Sequence, residues 1–139
     1  MKYACLFCLA LSGLPALADV SECGAYRIYY TTFPSTLVPP GVAEAHGITR
    51  SDSRLITNVT VKRGDEPVPA TVTGRTRNLL NQLEKLGFVE VREQDAIYYL
   101  ASQVVDERDT LDYEVSVTPQ GAAIPCDISF RRNYFGSPQ

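Results

Sequence analysis

The chain has no tryptophan, one histidine, and methionine only at its start. Lacking tryptophan, it cannot carry the buried indole that pins the core of antibody-type domains. Beyond residue 18 its two cysteines lie far apart, and with one imidazole they supply too few soft ligands for a closed zinc site. The same spacing speaks against disulfide redox catalysis, which uses closely spaced cysteines. Blocks of one charge are missing as well: acidic and basic residues alternate, the ordinary pattern of a solvated surface. No internal repeat or low-complexity segment is present, which excludes a solenoid.

The first residues read as an export signal. Lys2 supplies the positive start, Leu6 to Leu14 the apolar stretch, and Ala16-Leu17-Ala18 the small-x-small cleavage site. Gly13 and Pro15 interrupt a stretch already too short to anchor in a bilayer. Cys5 and Cys8 lie inside it without the Leu-x-small-Cys pattern of lipid attachment. The expected division is a signal peptide over 1–18, cut between Ala18 and Asp19, and a single domain over 19–139. The product is expected to be periplasmic, soluble, and without an integral membrane segment after cleavage. Loss of Lys2 turns 13 basic against 16 acidic residues into 12 against 16. That weak acidity offers no footprint for nucleic acid. About 120 residues remain, enough for one domain with a sizeable core.

Cys23 and Cys126 survive cleavage. In an oxidising compartment an isolated pair reads most simply as a disulfide, with two free thiols or a metal pair as competing readings. In many immunoglobulin-like sandwiches part of the first strand runs parallel to the last, which brings their starting ends together. A bridge there fastens the open edge of the sandwich.

Alternation with period two dominates the mature sequence. In LDYEVSV, Leu111, Tyr113, Val115 and Val117 share one face while Asp112, Glu114 and Ser116 share the other. CDISFRRNYF repeats the design as the last strand, with Cys126, Ile128, Phe130 and Tyr134 opposite Asp127, Ser129, Arg131 and Asn133. Further strands are expected over Ala25 to Phe33, Arg54 to Arg63, Glu66 to Leu80, Leu86 to Val91 and Ala96 to Val105. Gly74 marks a bulge or a close-packing point in one of them, and Gly64-Asp65 a turn between two. In NLLNQLEKLGF, Leu79, Leu80, Leu83 and Leu86 recur at helical spacing, so a short helix stopped by Gly87 competes there. About seven strands joined by short turns point to an all-β fold, an immunoglobulin-like antiparallel β-sandwich. A short helix is expected in the connection after the first strand.

Three blocks carry a family resemblance: GAYRIYYTTFPSTLVPPGVAEAHGITRSDSR, LITNVTVKRGDEPVPATVTGRTRNLL and FVEVREQDAIYYLA. In order and spacing they resemble the small exported bacterial proteins grouped as domain of unknown function 4426, over nearly the whole mature chain. That family has no assigned activity and lends no catalytic residues. The resemblance implies an exported, single-domain, β-rich protein. The cysteine pair is not part of the family pattern, so the disulfide rests on chemistry alone.

The connection from Phe33 to Arg54 holds the one histidine. PPGVAEAHG reads as a short helix with Pro40 near its start and Gly47 as a left-handed stop, over which Ile48 packs back on Ala43. His46 then sits at the helix C-terminus, where its charged form is favoured. A hydrolase would need His46 joined to Ser35, Ser51 or Ser53 and an acid such as Asp52, and no nucleophile-elbow motif is present. The acidic run Asp106 to Glu114 lacks the glycine and spacing of a helix-loop-helix calcium site and reads as a turn entering a strand. Arg50 is expected to pair with Glu93 or Asp95, or to receive a carboxylate from a partner. The doublets Tyr29-Tyr30 and Tyr98-Tyr99 should each turn one ring inward and leave one outside. Asn58-Val59-Thr60 matches a glycosylation sequon, which carries little weight in a strand of a bacterial protein.

These residues favour a non-enzymatic binding or interaction module of the cell envelope, with no cofactor, no catalytic residue and no metal. Its partner is expected to be an envelope protein or a small ligand, met through Phe33, Pro34, His46, Arg50 and Asp52. The rival readings are a small hydrolase-like enzyme using His46 and a structural accessory subunit of an envelope complex. The latter calls for an exposed edge or apolar patch.

Overall fold

The computed structural model describes residues 18–135, so the expected export segment lies, Ala18 apart, outside the described residues. Ten strands form two antiparallel sheets: β1 (Asp19–Cys23), β2 (Tyr26–Pro34), β3 (Arg54–Arg63), β4 (Glu66–Pro67), β5 (Ala70–Arg77), β6 (Leu83–Leu86), β7 (Phe88–Glu93), β8 (Ala96–Val104), β9 (Arg108–Pro119) and β10 (Cys126–Phe135). The larger sheet runs β1-β2-β3-β8-β7 with β4 beside β3, and the smaller runs β10-β9-β5-β6. The fold is the expected all-β sandwich. A 3-10 turn (Ser35–Leu37) and one short helix, α1 (Pro40–Ala45), lie between β2 and β3.

The strand number exceeds the expected seven for local reasons. Glu66 to Leu80 divides because Pro69 has no N–H to give a ladder. β4 ends on the larger sheet and β5 begins on the smaller one. Likewise β6 pairs with β5 and β7 with β8, so the chain changes sheets at Gly87. The leucines over 79–86 form no helix. Asn78 accepts N–H bonds from Leu80 and Gln82 through Oδ1, both at 2.9 Å, and this holds a hairpin turn in which Asn81 takes φ 62°. β1 is a further edge strand, antiparallel to β2.

Inward residues of both sheets alternate as the sequence requires. Ile28, Val59, Val61 and Val117 are fully buried between the sheets, with Leu111, Tyr113 and Val115 beside them. Gly74 is a close-packing point: a Cβ there would stand 3.1 Å from the Glu114 carbonyl and 3.2 Å from Val115. The β5–β9 ladder passes it without a bulge. Phe130 stacks between Tyr30 and Tyr113, with centroids 4.6 Å from each, and the Arg132 guanidinium lies 4.7 Å from its ring.

Cys23 and Cys126 form the disulfide, with Cα atoms 6.3 Å apart. It joins the edge strand of one sheet to the edge strand of the other, and the Arg132–Asp19 ion pair continues the seam. Both Cys23–Cys126 and Tyr30–Phe130 meet across the sheets, so β2 runs in the same direction as β10. Closing a separation of 103 residues stabilises the fold by roughly 4–5 kcal/mol in the chain-entropy model.

Candidate functional site

The connection after β2 is packed, and sequence explains how. Pro40 opens α1 at a position that needs no N–H. The helix ends in a Schellman arrangement: Ile48 N–H donates to the Ala43 carbonyl at 2.8 Å, Gly47 N–H to that of Glu44 at 3.5 Å, and Gly47 takes φ 68°. Ser35, fully buried, donates its hydroxyl to the Ser51 carbonyl and accepts the Ser51 N–H, both at 2.9 Å. Val38, Ala43, Val42 and Ile48 then cover Ile56 and Leu100. These two belong to the outward residues of β3 and β8, so a second apolar core sits outside the larger sheet.

That roof covers only half of the face. The other half is an open groove of about 230 Å3, lined by Tyr29 and Thr31 of β2, Asn58, Thr60 and Lys62 of β3, and Tyr98 of β8. Both tyrosine doublets split as expected: Tyr30 and Tyr99 pack in the sandwich core, while Tyr29 and Tyr98 line the groove. Tyr98 also packs against the roof, so the roof forms one wall of the groove.

Polar groups supply the rest. Lys62 Nζ lies 5.7 Å from the Tyr29 ring centroid, and Asp95 stands at the groove's mouth. Asn58 Oδ1 is shut off from solvent and accepts no hydrogen bond from any described residue. Such an oxygen costs about 1–3 kcal/mol. On the inner face of the sheet, the Tyr99 hydroxyl accepts from Ala70 N–H at 2.8 Å and donates to Glu90 Oε1 at 2.9 Å. The Ala70 bond ties the two sheets beneath the groove, and the Glu90 bond joins β7 to β8 within the larger sheet. Burial raises the Tyr99 hydroxyl above its ordinary range, and Arg92 followed by Tyr99 hold the Glu90 carboxyl below its own.

A broader depression of about 800 Å3 lies on the smaller sheet, across Arg75, Glu114 and Asp127. It is a solvated face whose charges answer one another: Arg75 meets Glu114 at 3.2 Å, and beside it Arg131 holds Asp112 through two bonds of 2.6 and 3.0 Å. The Arg131 contact keeps the Asp112 carboxyl below its ordinary range.

The five residues singled out in the connection do not converge. Phe33 packs under the roof, Pro34 ends β2 in solvent, and His46 caps α1, half-buried. Arg50 donates to the Thr36 carbonyl at 2.7 Å, and the Asp52 carbonyl accepts the Tyr134 hydroxyl at 2.7 Å. None of the five lines the groove. The expected pairing of Arg50 with Glu93 or Asp95 is absent among the described contacts. β7 runs antiparallel to β8, which puts Glu93 opposite Ala96 at the end of the sheet away from Arg50. Among the described residues, Ser35, Ser51 and Ser53 bond to one another, and none bonds to His46. The acidic run enters β9 as expected, with Asp109 accepting the Asp106 N–H at 3.3 Å.

Asn58, Thr60 and Lys62 went unnoticed as a site. Their sequence signal was the polar side of β3's alternation, read only as a sequon at Asn58 and Thr60. A central strand with polar residues on a face partly covered by protein was the available clue.

Fold and groove define a small antiparallel sandwich with a concave, tyrosine-walled site on its larger sheet. The chain belongs to the DUF4426 family, a domain of unknown function, whose model matches residues 20–136. The crystal structure of a DUF4426 family protein from Pseudomonas aeruginosa PAO1 is similar at 31% identity and a TM-score of 0.82, over 87% of this chain and 97% of that one. A copper-bound variant of FetP from uropathogenic Escherichia coli strain F11 shares the fold at 11% identity and a TM-score of 0.63, over 87% of this chain and 97% of its own. FetP as isolated after recombinant expression in the periplasm of E. coli does so at 13% and 0.57, over 88% and 96%. No curated protein matches the chain.

Proposed function

We propose that the protein is an exported, non-enzymatic binding module that takes a small polar ligand in the groove on its larger sheet. The observation that carries this is the convergence of Tyr29, Asn58, Thr60 and Tyr98 on one concave surface beside a packed wall. Export is supported by the Cys23–Cys126 disulfide, which suits an oxidising compartment. The connection from Phe33 to Arg54 serves as scaffold: its hydrogen bonds and apolar underside hold the wall, leaving Arg50 and His46 at its outer rim.

FetP's copper has no counterpart in the donors here. Beyond Met1 there is no thioether, the described residues offer one imidazole, and the two described cysteines are bonded to each other. Copper is held by imidazole, thiolate or thioether, or by grouped nitrogen and oxygen donors, and no group of three or more His, Cys, Asp or Glu side chains placed to hold a metal ion occurs among the described residues. The likeness to FetP therefore extends to the fold.

Native mass spectrometry of the protein after incubation with the low-molecular-weight fraction of a bacterial envelope extract tests the proposal. The parent protein should retain a small molecule that Tyr29→Ala loses. Equal retention by both proteins refutes the groove.

A second reading, docking to an envelope protein, is favoured by the β5–β6 hairpin tip, where Leu79 and Leu80 are 70% and 78% exposed. Replacing both with serine should abolish capture of such a partner, and the groove variant should leave it intact.

A further inference from the structure

We infer that the groove is a site for a neutral saccharide, which seats one pyranose ring between Tyr29 and Tyr98; this rests on the groove being the ligand site. Sites for drug-sized ligands span roughly 300–1,000 Å3. The open groove, about 230 Å3, is of a size to seat one ring.

Register sets the spacing of the walls. Tyr29 pairs with Thr60, and Tyr98 follows directly beyond the Val59–Tyr99 pair, so Tyr29, Thr60 and Tyr98 lie in one row across β2, β3 and β8. Neighbouring strands are about 4.8 Å apart, which puts the two tyrosine backbones about 10 Å apart with side chains rising roughly perpendicular to the sheet. Carbon atoms pack at about 3.5–4.0 Å. Two facing walls at that spacing admit a body one ring thick over the short Thr60 floor.

A pyranose has apolar C–H faces and a rim of hydroxyls, and the groove presents the same division. Tyrosine rings supply the faces. Thr31 and Thr60 give and accept hydrogen bonds, Asp95 accepts, and Lys62 donates. The Asn58 side chain adds an amide donor and acceptor to the lining. Lys62 and Asp95 are opposite in sign, which leaves the mouth formally neutral and gives no preference to an ionic ligand. An extended peptide is disfavoured because β2, β3 and β8 each have neighbours on both sides and offer no free edge for strand addition.

The test is an amide-resolved NMR titration of the protein with tri-N-acetylchitotriose, maltotriose and, as the contrasting class, triglycine. A saccharide should move the amides of Thr31, Asn58 and Thr60. Tyr29→Ala should weaken that saccharide by about tenfold, while Tyr29→Phe, which keeps the ring, should bind as the parent does. If triglycine moves these amides and neither saccharide does, the saccharide assignment is wrong and the groove stands. If no probe moves them and the extract-derived ligand of the preceding test is retained by Tyr29→Ala, the assignment and the groove reading both fall.

Discussion

Tyr29 and Tyr98 stand on the same outer face of the larger sheet, on strands separated only by β3, and both line one groove although 69 positions separate them in the chain. Their neighbours Tyr30 and Tyr99 face the opposite way, into the core. Each doublet therefore holds one ring in the core and one ring on the groove face.

The doublet predicts opposite outcomes for adjacent substitutions. Tyr30→Ala removes a ring that stacks on Phe130 and should cost about 3 kcal/mol in urea unfolding. Tyr29→Ala should cost under about 1 kcal/mol and lose the ligand instead. Equal destabilisation by the two would contradict the division.

Reducing the disulfide, or replacing both Cys23 and Cys126 with serine, should lower stability by roughly 4 kcal/mol, less any effect of residual structure in the unfolded chain. Urea midpoints with and without reductant measure this. An unchanged midpoint once the Cys23 and Cys126 thiols are free would contradict the stabilising role.

Ser35→Ala removes the buried hydroxyl that meets both the N–H and the carbonyl of Ser51. The expected cost is about 1–3 kcal/mol. Limited proteolysis should then cut within residues 36–50, and the parent should resist cleavage there. Protection unchanged in the variant would mean that the apolar underside alone holds the roof.

Among the described residues the Tyr113 hydroxyl, between the sheets, has no partner at full hydrogen-bond geometry, and burial pushes its pKa up to about 12, opposed in part by a weak contact from the nearby Thr57 hydroxyl. In the unfolded chain tyrosine ionises near 10. The folded state therefore holds its proton longer. Stability is fully present below about pH 10 and falls as the pH rises toward 12. Tyr113→Phe should flatten that loss and, by removing an unpaired polar atom, leave stability at neutral pH unchanged or slightly higher. A variant that is much less stable at pH 7 would show that the hydroxyl has a partner.

Much of the fold was legible because its signals are local. β9 and β10 appear directly in the alternation of LDYEVSV and CDISFRRNYF, and the α1 stop at Gly47 appears in the order helix, histidine, glycine, isoleucine. β6 was ambiguous because its leucines fit a helical spacing, and only the Asn78 side-chain bonds settle the turn before it. β1 was missed because DVSEC is a short edge strand directly after the expected cleavage site. The groove was hidden for a different reason. Its parts come from alternate positions of three strands, and only the pairing registers bring Tyr29, Thr60 and Tyr98 into one row. The residues of the Phe33 to Arg54 connection drew attention because the segment interrupts the strand pattern; its hydrogen bonds and apolar underside build a wall beside that row.

The most direct test of the account is to map amide shifts across the whole protein as it binds the low-molecular-weight envelope fraction. The account predicts perturbations concentrated at Thr31, Asn58, Thr60, Lys62 and Asp95, with residues 78–82 of the hairpin tip silent. Perturbations confined to residues 36–53 or to that tip, with the groove amides unmoved, would contradict it.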